Sequence, residues 1–124
     1  MPLEESKIIL LLVEDEALIR MHGIEILESA GFIVFEACNA DEAVIILDKH
    51  NEIRLIFSDV DMPGSMDGLE LLELAHLRWP KIRLLLTSGH RRLEDDSLPG
   101  QGKFLPKPWS EEALVNKVRS LLVA

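Results

Sequence analysis

The sequence is poor in cysteine and in positive charge, and it lacks a hydrophobic run long enough to cross a bilayer. Its single cysteine, Cys38, cannot form an internal disulfide and stands in no zinc-binding spacing, so we expect a cytoplasmic protein. Thirteen lysines and arginines face 22 aspartates and glutamates, and the net charge of −9 argues against direct binding to nucleic acid or to an anionic membrane. The longest apolar run, residues 8–13, is too short for a membrane span, and residues 1–7 are too polar and acidic for a signal peptide.

Strand-like and helix-like patterns alternate from one end of the sequence to the other. The 124 residues suit one domain, and 48% of them are hydrophobic, which is enough for a core. Apolar runs, typical of strands covered on both faces, lie at residues 8–13, 32–35, 55–57 and 104–105, and residues 82–86 form another that Arg83 alone interrupts. Helical patterns lie at residues 16–29, after Asn39, at residues 69–79 and after Ser110. This order predicts an α/β fold, a three-layer sandwich with a parallel sheet between helices.

One segment departs from the alternation. Between the fourth and fifth strands, a proline and two glycines interrupt residues 90–102. The fourth helix is therefore predicted to be short or irregular, covering at most residues 91–97. Arg91 and Arg92, which stand beside three acidic residues, fit a solvated charge run.

Residues capable of chemistry follow the strands, where a parallel sheet forms its binding crevice. They are Glu14 and Asp15 after the first strand, Asp59 after the third, Thr87 after the fourth and Lys107 after the fifth. Three carboxylates from two strand ends cannot all stay ionised and unpaired, so either their pKa values rise or a cation such as Mg2+ binds. A carboxylate nucleophile, a metal, a lysine and a hydroxyl together favour phosphoryl transfer to Asp59.

Five motifs in order give the chain a specific resemblance. They are Leu-Leu-Val-Glu-Asp-Glu around Asp15, Ser-Asp-Val-Asp-Met-Pro-Gly around Asp59, Asp67-Gly68, Thr87-Ser88-Gly89, and Leu-Pro-Lys-Pro-Trp around Lys107. With these spacings the chain is similar to the receiver domain of bacterial two-component response regulators, over essentially its whole length. The resemblance implies a five-stranded parallel sheet in the order 2-1-3-4-5. It also implies one receiver domain over residues 1–124 with no output domain in this chain, either stand-alone or part of a hybrid kinase or longer regulator.

The resemblance assigns a phospho-acceptor and a metal site. Asp59 is expected to accept a phosphoryl group from a sensor histidine kinase or a histidine phosphotransfer protein. Asp15 and Asp59 are expected to hold Mg2+ directly, Glu14 mainly through water, and Asp61 through its backbone carbonyl. The Asp61 side chain is either a plain loop acid or a group that orients water and tunes the phosphate lifetime.

The resemblance also assigns a switch that alters affinity for an unidentified downstream protein. Lys107 is expected to bind a phosphoryl oxygen, Thr87 to swing towards the phosphate, and Phe104 to act as the aromatic switch residue. An irregular fourth helix argues against the usual dimer through that face and against the usual coupling of Thr87 to Phe104, so we expect a monomer or a weak dimer. His90 lies near the site, with a surface role favoured, and Trp109 is interpreted as a packing residue.

Two other functions stay open from the residues alone. Asp59-Val60-Asp61 after an apolar strand also resembles the Asp-x-Asp motif of haloacid-dehalogenase-type phosphatases, which would make the chain a small Mg2+-dependent aspartyl-phosphate phosphatase. Against this, the motif lies mid-chain, and the chain lacks room for a substrate cap. The second alternative is a degenerate receiver that binds partners without phosphorylation.

Overall fold

Five strands and four helices alternate along residues 8–123, the part of the chain that the computed structural model describes. They are β1 (Ile9–Val13), α1 (Ala17–Ser29), β2 (Ile33–Ala37), α2 (Ala40–Lys49), β3 (Ile53–Asp59), α3 (Gly68–Arg78), β4 (Arg83–Ser88), β5 (Lys103–Pro106) and α4 (Glu111–Leu122). The interpretation of residues 1–7 as too polar for a signal peptide lies outside the described residues. None of the described helices combines the length and the apolar composition needed to cross a membrane.

The strands form one parallel sheet in the order β2-β1-β3-β4-β5, which confirms the predicted fold and strand order. Alternate strand residues point to opposite faces of the sheet. Leu11, Ile56 and Leu86 belong to a core cluster shared with α2 and α3. Leu10, Phe57 and Leu85 belong to a second cluster shared with α1 and α4. Because both faces are covered, β1 and the middle of β3 and of β4 are apolar at consecutive positions, as the sequence pattern indicated.

Side chains at the helix starts fix where three of the helices begin. Asn39 Oδ1 accepts a hydrogen bond from the Glu42 amide at 2.8 Å, which caps the start of α2. Asp67 and Glu70 form a reciprocal capping box at the start of α3. Ser110 Oγ accepts a hydrogen bond from the amide at the third position of α4. Each such cap stabilises its helix by about 1 kcal/mol.

The connection between β4 and β5 contains two short 3-10 turns, Asp95–Ser97 and Pro99–Gln101, and no α-helix. The irregular fourth helix is thus confirmed, although its regular part is shorter than the predicted maximum of residues 91–97. Gly100 adopts a left-handed conformation with φ of 60°, which interrupts any helical path. The Phe104 amide on the outer edge of β5 donates a 2.9 Å hydrogen bond to Asp95 Oδ1. The helix labelled α4 is therefore the last helix of the pattern, after β5.

Candidate functional site

Asp59 lies at the carboxyl end of β3, in the middle of the sheet, and only 5% of its surface is exposed. The next residue continues the sheet, because the Val60 amide donates to the Thr87 carbonyl at 2.9 Å. The Gly68 amide donates to the Val60 carbonyl at 2.9 Å, which folds the start of α3 back against the site. The carboxylate is thus held at a strand end where the backbone on both sides is fixed.

Lys107 bridges two acids that come from different strands. Its Nζ lies 2.8 Å from Glu14 Oε1 and 3.4 Å from Asp59 Oδ2. The Lys107 amide donates to the Ser88 carbonyl, so the residue follows β5 in register with β4. A cation that contacts both carboxylates offsets part of their mutual repulsion and of the cost of burying them.

Glu14 is buried and held by several contacts. A residue that binds Mg2+ mainly through water would not need to be held so firmly. The residue is 1% exposed, and its second oxygen, Oε2, accepts a hydrogen bond from the Glu16 amide at 3.1 Å. The Arg20 guanidinium donates to the Glu14 carbonyl at 2.8 Å and pairs with Glu36 at 2.9 Å. Arg20 was not identified from the sequence. Its position one helical turn into α1, close in sequence to Glu14, was the pattern that could have indicated it.

Three carboxylates meet beside Lys107. Glu14, Asp15 and Asp59 each offer an oxygen within 4.8 Å of the other two. Glu14 and Asp59 are buried, whereas Asp15 is exposed, so the cluster opens to solvent on one side. Hard oxygen donors with access to water fit Mg2+, which keeps several waters when it binds to proteins. The residues present therefore fit the metal that the resemblance implies.

The pKa values in the cluster follow from burial and from its charges. Burial raises the pKa of Glu14, and the hydrogen bond from Lys107 only partly opposes this effect. Burial also raises the pKa of Asp59, with the Lys107 charge again opposing it. For Lys107, burial alone would lower the pKa, but the bond to Glu14 and the charge of Asp59 outweigh it and raise the pKa. Ionisation of both acids therefore carries a burial cost, which a divalent cation would relieve.

Asp61 lies beside the acidic cluster, and its side chain is engaged by neighbours. Its amide is 3.4 Å from Asp59 Oδ1. Its own carboxylate accepts a 3.0 Å hydrogen bond from Ser88 Oγ and pairs with Arg91 at 3.1 Å. Arg91 thus belongs to the site and is not merely part of a solvated charge run. The His90 amide donates to Ser88 Oγ at 3.1 Å, so His90 is near this network through its backbone.

The structure separates the two residues predicted to form the switch. Thr87 follows Leu85 on the face of β4 that packs against α1 and α4, and its hydroxyl accepts a 2.8 Å hydrogen bond from Trp109 Nε1. Phe104 is buried on the opposite face, in the cluster that contains Leu86. Trp109 is therefore a hydrogen-bonding partner of the site as well as a packing residue. Trp109 lies only two residues after Lys107 in the sequence, which was the available signal. This short sequence separation could not by itself reveal a hydrogen bond to Thr87.

Comparison with known families decides the identity of this fold and site. A family model described as the response regulator receiver domain matches residues 10–119. The chain belongs to this family. Membership of this family places the chain in two-component phosphorelay signalling. Receiver domains are signalling domains and not dedicated enzymes. The phosphatase interpretation is therefore set aside, because the Asp59-Val60-Asp61 motif lies in a receiver fold.

The receiver domain is similar to part of a much longer protein and to nearly the whole of a protein of similar length. It is 40% identical over 118 residues to the sensor kinase CckA of Brucella abortus (strain 2308), covering 90% of this chain but only 12% of that kinase. It is 30% identical to the response regulator receiver protein CpdR of the same organism, covering 93% of this chain and 97% of CpdR.

Solved structures agree with this assignment of the receiver domain. The receiver domain from the hybrid histidine kinase CckA matches with a TM-score of 0.78 and 33% identity, covering 92% of this chain and 98% of that one. A response regulator receiver protein from Sinorhizobium medicae WSM419 matches with a TM-score of 0.86 and 27% identity, covering 95% and 96% of the two chains.

Proposed function

We propose that this receiver domain accepts a phosphoryl group on the Asp59 carboxylate and thereby changes its affinity for a partner protein. The observation that carries the proposal is the position of Asp59, buried at a strand end between Lys107 and two further acids. A carboxylate in this place is accessible from the open side of the cluster, near Asp15. The remaining groups are arranged to stabilise negative charge that arrives there.

The chemical step at Asp59 is a displacement at phosphorus. One carboxylate oxygen attacks the phosphorus atom, and the bond between phosphorus and the donor breaks. The electron pair of that bond leaves with the donor, which is the imidazole of a phosphohistidine or the carboxylate of acetyl phosphate. The product is a mixed anhydride of Asp59 and phosphate. Hydrolysis of the anhydride by water returns the carboxylate and inorganic phosphate, so the domain catalyses both its own phosphorylation and its own dephosphorylation.

Residues around Asp59 have separate roles in this proposal. Mg2+, held by Glu14, Asp15, Asp59 and the Asp61 carbonyl, would neutralise charge on the phosphoryl oxygens. Lys107 already contacts Asp59, and a modest displacement lets its ammonium bind a phosphoryl oxygen as a point charge. Thr87 on the neighbouring strand supplies the hydroxyl that responds to the phosphoryl group.

The donor proposed for this reaction is a sensor histidine kinase or a histidine phosphotransfer protein. The similarity to the receiver part of CckA and to CpdR supports a donor of this kind. We also propose a cytoplasmic setting, a downstream protein as the recipient of the signal, and a monomer or a weak dimer in solution. The net charge of −9 supports a protein partner over nucleic acid.

Intact-mass measurement after incubation with acetyl phosphate and Mg2+ tests the proposal. We expect one phosphoryl adduct, lost when the reaction is repeated with Asp59→Asn. Asp96→Asn, in the exposed β4–β5 connection, is the matched control and should keep the adduct. Release of inorganic phosphate is measured in the same samples, because rapid hydrolysis would hide the adduct.

The outcomes separate the remaining alternatives. Phosphate release without an adduct still supports the proposal if Asp59→Asn abolishes the release, and Asp61→Asn should then lengthen the lifetime enough to show the adduct. Neither adduct nor release, from protein that binds Mg2+, would overturn the proposal in favour of a degenerate receiver that acts by binding alone.

A further inference from the structure

The hydroxyl of Thr87 is engaged by Trp109 and not by the acidic cluster. Trp109 Nε1 donates to Thr87 Oγ1 at 2.8 Å, and both residues are buried, with 7% and 1% of their surfaces exposed. Among residues 8–123, the polar contacts of the Asp59 carboxylate are instead with Lys107 and the Asp61 amide. The Thr87 hydroxyl is therefore hydrogen-bonded to a residue on the side of the sheet that α1 and α4 cover.

The hydrogen bond from Trp109 to Thr87 opposes movement of the Thr87 hydroxyl. An indole N–H can only donate, and a buried donor without an acceptor is unfavourable. Movement of the Thr87 hydroxyl towards Asp59 would leave the Trp109 N–H without its acceptor. The bond therefore favours the arrangement in which the hydroxyl stays away from Asp59.

The ring of Trp109 also contacts α1. It stacks on the His22 ring with centroids 6.0 Å apart and planes inclined by 6°. A Cβ at Gly23 would lie only 3.4 Å from the indole, so α1 approaches the ring at its one glycine. The ring also packs against Phe57 of β3, with centroids 5.3 Å apart and planes inclined by 58°. A ring confined in this way cannot move without displacing a neighbour.

We propose that Trp109 is a positioning residue that holds the Thr87 hydroxyl away from Asp59 before phosphorylation and conveys its release to α1 at His22. This inference rests on the proposed function, because it requires Asp59 to receive a phosphoryl group. It differs from a switch through Phe104, which lies on the opposite face of the sheet from Thr87. The route runs from Asp59 through Thr87 and Trp109 to the α1 surface.

Proton–nitrogen NMR spectra of the indole groups test the first half of the proposal. The chain has two tryptophans, so Trp79→Phe leaves Trp109 as the only indole signal and serves as the folded reference. Trp79 is partly buried beside Arg78 and does not touch the site. Beryllium fluoride with Mg2+ is the probe, because it mimics a phosphoryl group on a carboxylate. We expect the Trp109 indole signal to shift and its hydrogen exchange to accelerate when the probe binds.

Two substitutions separate hydrogen bonding from packing. Thr87→Val keeps the shape but removes the acceptor, so the Trp109 indole proton should exchange rapidly even without the probe. Trp109→Phe keeps a ring but removes the donor, so the probe should bind at a lower midpoint concentration, by up to about tenfold, since nothing then opposes Thr87 movement. A merely structural ring would leave this midpoint unchanged or weaken binding. Where Trp109→Phe fails to fold, Thr87→Val still tests the bond through indole exchange.

Backbone amide signals of His22 and Gly23 test the second half. They should shift with the probe in the Trp79→Phe reference and stay unchanged in the Trp109→Phe protein at full occupancy of Asp59. Occupancy is followed independently by the fluorine NMR signal of the bound beryllium fluoride. Occupancy of Asp59 without any change at the Trp109 indole overturns this inference and leaves the proposed function intact. Failure of the probe and of acetyl phosphate to modify Asp59 removes the proposed function, and the inference fails with it.

Discussion

Gly68 packs directly against the backbone of Asp59. A Cβ at Gly68 would overlap the Asp59 carbonyl oxygen and would lie 2.8 Å from the Val60 α-carbon. These atoms belong to backbone in the middle of the sheet, so they cannot move aside as a flexible side chain would. The glycine allows α3 to begin beside the acidic cluster, where the Gly68 amide bonds to the Val60 carbonyl.

Gly68→Ala is therefore expected to destabilise the fold by about 1–3 kcal/mol, because the added methyl group must displace the backbone that carries Asp59. Urea unfolding measures this loss, and the acetyl phosphate reaction should slow in the same variant. Gly89→Ala is the control, since its Cβ would meet only the Lys107 side chain at 3.8 Å. Equal stability of the two alanine variants would mean that the backbone adjusts freely at Gly68.

Removing Lys107 leaves a buried acid without its cation. Lys107→Ala should still fold but should lose about 1–3 kcal/mol of unfolding free energy at neutral pH, because Glu14 is left unpaired. The loss should shrink in acidic buffer, where Glu14 takes up a proton, and adding Glu14→Gln should recover most of it. Lys103→Ala is the control, because its ion pair is exposed and 4.0 Å long. Urea unfolding curves that superimpose for Lys107→Ala and the wild type would contradict a stabilising role for the ion pair.

The raised pKa values of Glu14 and Asp59 predict a pH dependence of stability. Because both pKa values are higher in the folded protein than the ordinary values of 4.5 and 3.8, the native state binds protons before the unfolded state does. The stabilisation from protonation is complete below the ordinary values and is lost as the pH rises through the raised ones. Without divalent ions, Asp59→Asn should thus be more stable than the wild type at neutral pH, because the amide carries no charge that burial would penalise. Unfolding curves collected from neutral to acidic pH should show this gap closing; a gap that widens on acidification has the wrong sign for a buried acid.

Binding of Mg2+ should stabilise the fold, because the ion offsets repulsion among Glu14, Asp15 and Asp59. An increase in Tm of several degrees at about 10 mM Mg2+ corresponds to roughly 1 kcal/mol. Asp15→Asn removes the exposed ligand and should abolish the increase, whereas Asp96→Asn should keep it. The increase should also weaken in acidic buffer, as Glu14 and Asp59 take up protons. Equal Tm values with and without Mg2+ would argue against a metal site in this cluster.

The sequence was informative wherever one periodic pattern or strand end determined the outcome. Consecutive apolar residues predicted strands covered on both faces, and Asn39 and Ser110 marked helix starts that the structure confirms. The convergence of Asp59 and Lys107 followed from parallel strands that end at one edge. The bond from Trp109 to Thr87 could not be predicted, because it depends on which face of β4 each side chain occupies and on how the indole is turned. The pairing of Arg91 with Asp61 was also missed. Arg91 lies in the irregular connection between β4 and β5, and the path of such a segment cannot be predicted from a periodic sequence pattern.

The hydrogen bond from the Phe104 amide to Asp95 has a consequence for association between molecules. β5 lies at the edge of the sheet, where an unpaired amide can recruit a strand from another chain. The Asp95 carboxylate accepts the hydrogen bond of that amide through Oδ1, and its Oδ2 lies 4.0 Å from Lys103 Nζ on the same strand. A segment too irregular to form a helix thereby covers one of the amides through which a sixth strand would add to the sheet, a kind of cover that exposed edge strands commonly need.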